Sequence, residues 1–201
     1  MVSQNPSSAG AVQGAGTRHA PAHLRRLSVL LSMPEEGALD ALREMSDQVP
    51  WLGEAVAELE GVALDRWQAE HTWLFVSGYP KTPCPPFESA YRQGQMGGTM
   101  ASDLVAFYRR VGLEPEGVPA DYLGTLLECA AYLADLARSE ETESAPCLVV
   151  ALERELWQEH LGHWLPRFAV DLERAAQLKL YRALAVQLGA LMEECAIDGD
   201  G

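Results

Sequence analysis

Two histidines three residues apart, His160 and His163, stand beside Glu155 and Glu159. Histidine and glutamate at helical spacing are how helical bundles hold metal ions. Here the pattern stops short. Positions i and i+3 supply half a site, Gly162 separates Glu159 from His163, and no HExxH or ExxH pair elsewhere completes it. His160 also continues an apolar stripe with Val149, Leu152 and Leu156, which suits a core histidine. Nucleophilic chemistry has one candidate thiol, Cys84, with His71 as a candidate base, but Cys84 is flanked by Pro83 and Pro85 and such a cysteine packs more often than it reacts. Ser89 follows Pro-Pro-Phe-Glu, not the G-x-S-x-G of a nucleophile elbow. Gly94, Gly97 and Gly98 lack the lysine and spacing of a phosphate loop. No resident cofactor or metal is expected.

Composition narrows the partner. Among 201 residues, 29 acidic against 15 basic side chains give a net charge of −14. Nucleic acids and anionic membranes need clustered cations, so neither is expected as a partner. A basic partner is favoured and steered inward; the same charge also serves solubility. The four cysteines, Cys84, Cys129, Cys147 and Cys195, have no C-x-x-C spacing and suit a reducing cytosol as small buried hydrophobes. No apolar run approaches the roughly 18 residues of a membrane span. Leu24-Arg25-Arg26-Leu27 looks like an export signal, but its apolar part ends at Met33-Pro34 and no cleavage site follows. It reads as an amphipathic helix with Leu24, Leu27 and Leu31 on one face.

The elements that must position these residues are helices. β-Branched residues are sparse and period-2 alternation is missing. Residues 1–20 read as a disordered tail, and 21–197 as one all-α domain, a bundle of about eight to ten helices. Helices are expected over about 21–32, 35–48 and 51–77, with Leu64, Trp67, His71 and Leu74 on one face. Residues 78–96 are a proline-rich connection, long enough to be functional or disordered. Met100, Leu104 and Val111 mark the next helix, stopped at Gly112. Another is expected to start near Pro119 with Asp121 in its first turn, and its stripe continues through Leu126, Cys129 and Leu133. Residues 139–146 read as a mobile acidic loop. Pro166 breaks the next helix or starts a new one, and a last helix over about 169–195 is apolar on two sides and belongs at the centre.

Asp121 has two readings. It offsets the dipole and caps amides in its helix, or it meets a cation on a partner. The stretch from Glu70 to Tyr91 combines Leu74 and Phe75 at a helix end with a rigid loop poor in hydrogen bonds. Such surfaces hold extended peptides better than they break bonds.

Three patches together resemble the TorD/DmsD-type redox-enzyme maturation chaperones, with the NarJ-like nitrate reductase assembly proteins as near relatives. Glu70-x-x-x-Leu74-Phe75 followed by Pro85-Pro86-x-Glu88-Ser89-x-Tyr91 is similar to E-Y-x-x-L-F … P-P-Y-E-S-x-Y. Pro119-Ala120-Asp121-Tyr122 is similar to a P-D-H helix start. Trp157-x-x-His160-Leu161-x-x-Trp164-Leu165-Pro166-x-Phe168 is similar to F-x-x-H-L-x-x-W-L-P-x-F. Their order and spacing cover about residues 21–195. Two departures bear on the choice of client: the histidine after the aspartate is Tyr122, and a tryptophan before the Leu-Phe pair is His71.

The resemblance implies a TorD-like, all-helical cytoplasmic chaperone that is not an enzyme. Its partner would be the twin-arginine signal peptide or N-terminal region of a molybdopterin oxidoreductase catalytic subunit, held until the cofactor is inserted. Peptide contact would fall to His71, Leu74, Phe75, Pro86, Tyr91, Pro119, Asp121 and Tyr122. Glu70, Glu88, Ser89, His160 and Trp164 would fix the structure. The chain would be a monomer or a helix-exchanged dimer, with 78–96 as a hinge. The alternatives are a NarJ-like factor for a non-exported molybdoenzyme and, from another class, a helical hydrolase using Cys84 or the His160/His163 pair.

Overall fold

Leu24, Leu27 and Leu31 do share one face, and that face is buried. It lies against a long helix later in the chain, and the same stripe-to-stripe logic builds the rest of the bundle. The computed structural model describes residues 19–114, 117–139 and 146–197. The expected tail lies outside the described residues except for its last two positions, and most of the acidic 139–146 stretch lies outside them too. So do the side chains of Cys147 and Cys195.

Ten α-helices follow one another among the described residues. They are α1 (Pro21–Val29), α2 (Ala38–Ser46), α3 (Gly53–Leu59), α4 (Leu64–His71), α5 (Glu88–Arg92), α6 (Thr99–Val111), α7 (Leu123–Arg138), α8 (Pro146–Glu155), α9 (Leu165–Ala175) and α10 (Lys179–Ile197). No strand occurs among them; a single antiparallel bridge pairs Phe87 with Tyr122. The all-α bundle expected from the sequence is the fold observed. Pro21 opens α1, where its missing amide costs nothing. Gly112 closes α6 at φ 80°, and Leu113 N–H reaches back to Tyr108 O at 2.9 Å, a Schellman stop.

α1 packs on α7, and α9 on α10. α10 buries Leu180, Tyr181, Leu184, Leu188 and Leu191, so it is apolar on two sides and central. The helix expected over 169–195 is two helices. α9 ends at Ala175, Ala176 is extended, and α10 restarts at Lys179. Neither proline nor glycine marks this break. What holds it is Glu70, 2 % exposed, whose Oε1 accepts from the amides of Gln177 (2.6 Å) and Leu178 (2.8 Å). Glu58 Oε2 accepts from the Lys179 amide at 2.6 Å. Two carboxylates from α3 and α4 thus satisfy amides that a helix start leaves open, at the end where the dipole favours negative charge.

Two helices end in π turns, Thr72–Val76 after α4 and Leu156–His160 after α8. Each carries residues of the resemblance patches, and π turns recur where a helix must re-aim side chains. Replacing Glu70 with alanine should cost about 2 kcal/mol, and with glutamine less, because an amide oxygen still accepts. Urea unfolding followed by helical circular dichroism measures both.

Candidate functional site

The proline-rich loop is held where it enters and where it leaves. At its start, Gly78 admits no side chain: a Cβ there would lie 2.7 Å from Pro83 Cδ and 2.8 Å from Lys81 O. The Cys84 amide donates to Leu74 O at 2.9 Å, which lays the loop back on the π turn. At its end the chain meets the start of α7. Leu123 N–H donates to Pro86 O (2.9 Å), Glu88 N–H donates to Asp121 O (3.0 Å), and the rings of Phe87 and Tyr122 lie 5.7 Å apart.

The side chains lock this pairing. Asp121 is 1 % exposed, and its Oδ2 accepts from the Ser89 amide at 3.2 Å and from the Ser89 hydroxyl. The Gly97 amide donates to Ser89 Oγ at 2.9 Å, drawing in the glycine loop. Asp121 therefore caps α5 across the clamp and not its own helix. It also precedes α7: the helix expected near Pro119 begins at Leu123, because Pro119–Tyr122 form the turn that aims Asp121 at Ser89. Tyr108 donates its hydroxyl to Ala120 O (2.8 Å) and fixes the other side of that turn; burial holds its pKa well above the ordinary phenol value.

Glu88 carries the second half of the clamp. Fully buried, it pairs with Arg92 one turn on (2.5 Å) and with His160 Nδ1 (3.1 Å). Arg92 also donates to Glu159 O at 2.8 Å. The third patch closes around an aromatic cluster: Tyr91 lies 5.5 Å from Trp164 and 5.9 Å from Phe168, with the Arg167 guanidinium 5.5 Å from its ring. Patches that are about 30 to 70 residues apart in sequence are one constellation in space.

His71 and Phe75 belong to a second, adjoining cluster. His71 Nε2 donates to Leu31 O at 3.1 Å, and Tyr122 donates its hydroxyl to the same carbonyl at 3.0 Å. His71 Nδ1 is buried with no partner, so burial lowers the histidine's pKa from its ordinary 6.5. Phe75 sits edge-on to Tyr181 (5.4 Å) and parallel to Phe168 (6.4 Å). Of the eight residues expected to contact a peptide, His71, Leu74, Phe75, Pro86 and Asp121 are buried, Tyr91 and Tyr122 are half-buried, and Pro119 is exposed.

The candidate reactive groups sit as follows. Cys84 is fully buried, and desolvation pushes its thiol up to about 12. A thiol held protonated at neutral pH is a weak nucleophile. His160 is engaged by Glu88, while His163 is half exposed and 4.0 Å from Glu159. No group of three or more His, Cys, Asp or Glu side chains is placed to hold a metal among the described residues. No described helix is long and apolar enough to cross a membrane.

Sequence reasoning passed over an apolar groove of about 630 Å³ beside the His71 cluster. It lies between the end of α1, α2 and α10, and its lining includes Met33, Met45, Trp67, Leu180 and Tyr181. The signal for it was present but spread out: an exposed Val29 and Met33 where the stripe of α1 should end, followed by Glu35 and Glu36.

The all-helical bundle that carries the clamp and the groove has a solved counterpart in its fold. A crystal structure described as that of a redox enzyme maturation protein from Archaeoglobus fulgidus superposes with a TM-score of 0.60 at 24% identity, covering 87% of this chain and 94% of that one. The sequence matches the nitrate reductase delta subunit family over residues 36–170, which contain all three patches. The chain belongs to that family, and the resemblance to TorD/DmsD- and NarJ-type chaperones stands. The chaperone protein YcdY of Escherichia coli (strain K12) is 30% identical over 117 residues, 58% of this chain and 56% of that protein, so the match spans little more than half of that relative's length.

Two outcomes test the site's energetics. Asp121→Ala leaves the Ser89 donors unpaired and should destabilise the fold by about 3 kcal/mol. Asp121→Asn, which keeps an acceptor, should lose less; urea unfolding separates them. For His71 the sign follows from its lowered pKa. The unfolded chain takes up the proton more readily than the fold, so the stabilisation is present above about pH 6.5 and lost as pH falls below it. His71→Gln should flatten the fall in melting temperature between pH 7 and pH 5 relative to the parent chain.

Proposed function

We propose that this chain is a cytoplasmic assembly chaperone, not an enzyme. It would bind the signal peptide or N-terminal region of a molybdopterin oxidoreductase catalytic subunit and keep that subunit from export until its cofactor is in place. The observation that carries this reading is the family match over residues 36–170. The names of the relatives support it: one is a chaperone, and another, alike in fold, is described as a redox enzyme maturation protein.

The physics of the site supports it as well. A signal peptide is cationic at its front and apolar in its middle. A net charge of −14 draws such a peptide in, and apolar surface beside carboxylates receives it. Within the clamp, Pro119, Tyr122 and Tyr91 have surface to offer, while Asp121, Leu74 and Phe75 form the support behind that surface. Tyr122 in place of a histidine keeps a ring and a hydrogen-bond donor but does not titrate near neutrality; its burial raises the phenol to about 12.

A second reading within the same class takes its support from the family's own description as a nitrate reductase delta subunit. In it the client is a non-exported molybdoenzyme whose N-terminus lacks the arginine pair. Calorimetry with the full chain and a panel of N-terminal peptides from molybdopterin oxidoreductases tests both. Micromolar or tighter binding that weakens about tenfold or more when the two arginines become alanine supports the first reading. Equal binding of both forms supports the second. If no peptide in the panel binds, the chaperone reading is overturned.

A further inference from the structure

The clamp itself has little apolar surface to give. Leu74 and Phe75 are 0 % and 4 % exposed, so an apolar peptide segment cannot lie on them in this conformation. The surface that can take such a segment is on the other side of the Leu30–Gly37 stretch. This stretch is a strap between α1 and α2. Three side chains hold its backbone from behind: His71 and Tyr122 donate to Leu31 O, and Gln68 donates to Pro34 O at 2.8 Å. The front of the strap forms one wall of the groove, and α2 and α10 form the others.

The groove's chemistry has two parts. Its floor is apolar and continuous with the core: Trp67 Nε1 donates to the Tyr181 hydroxyl at 3.0 Å, which satisfies both polar tips, and Tyr181 touches Phe75 behind it. Met33, 41 % exposed, and half-buried Met45 add flexible side chains that fit irregular apolar ligands. At its mouth stand Glu35 and Glu36, both exposed and making no ion pair among the described residues. A volume of about 630 Å³ falls within the ordinary range of ligand pockets. An apolar floor with two uncommitted carboxylates on one rim is complementary to an apolar segment flanked by cations.

We propose that this groove receives the apolar stretch of the client peptide, and that the basic residues beside that stretch meet Glu35 and Glu36. The proposal rests on the chaperone reading and moves the apolar contact from Leu74 and Phe75 to the groove. Gln68, His71 and Tyr122 then act as positioning residues, because they set the strap that walls it. The two residues that depart from the resemblance pattern thereby act on the peptide through the Leu31 carbonyl and not by touching it.

The test uses the full chain and the tightest-binding peptide of the panel, labelled with fluorescein, with anisotropy as the readout. Ala41 is an exposed residue of α2 on the groove wall, so Ala41→Trp fills the groove without entering the core. It should weaken binding by about tenfold or more while circular dichroism stays unchanged. Glu35→Gln with Glu36→Gln should weaken binding by about fivefold and flatten its dependence on salt, with the fold again unaffected. If the parent chain binds and both variants bind as tightly as it does, the groove is not the site and the chaperone reading survives. If Ala41→Trp changes the oligomeric state in light scattering but not the peptide affinity, a second copy fills the groove and the proposal falls. If the parent chain binds no peptide, both fall together.

Discussion

A carboxylate taken out of water costs several kcal/mol unless hydrogen bonds and opposite charge replace its hydration. Glu88 and Asp121 are both under this constraint, at 0 % and 1 % exposure. Much of what satisfies them comes from another part of the chain. Asp121 is satisfied by Ser89 in the first turn of α5, and Glu88 by Arg92 one turn on and by His160 beyond α8. The loop, the start of α7 and the π turn after α8 therefore come together or leave two buried charges unpaired. That requirement, more than apolar area, gives a proline-rich loop one position. Leu and Ile side chains pack in many registers, whereas a buried carboxylate accepts from few donors at defined angles.

Glu70 applies the same rule at the opposite end of the first patch. It ties α4 to the amides that open α10. The sequence's acidic residues thus divide by burial. A few buried ones specify tertiary structure, and the exposed ones supply a net negative field of the kind that would steer a basic partner.

This division explains what could be read from the sequence. Helix stripes are local and repeat every three or four residues, so the face made by Trp67, His71 and Leu74 and the two-sided burial of α10 were legible. The break between α9 and α10 was not, because nothing in Ala175–Lys179 forbids a helix; Glu70, more than a hundred residues earlier, makes the break. The start of α7 was misplaced for the same reason: Pro119 is a sound local signal, and Asp121 overrides it by turning toward Ser89. Among the candidate site residues, motif spacing found the clamp but could not say which of its members keep surface. The groove was passed over because its walls come from three separate segments and no motif links the scattered signals for it.

The clamp and the groove share one piece of backbone, and this bears on how the client would be held. Leu31 O takes hydrogen bonds from His71 and from Tyr122, one from each side of the clamp, while the strap it belongs to forms the groove wall. A carbonyl has two lone pairs, and here both are used. Any shift of the strap to admit a peptide must stretch at least one of these bonds, and His71 is also held by its edge-on contact with Phe75 at 5.0 Å. Coupling of this kind needs a physical element with contacts on both sides, and the strap is such an element. A histidine at position 122 would add a titrating group at that junction. Tyrosine supplies the same donor without the charge, so in this chain its hydrogen bond to the strap is independent of pH near neutrality, and His71 donates to Leu31 O whether or not its buried Nδ1 takes up a proton, an uptake that burial opposes.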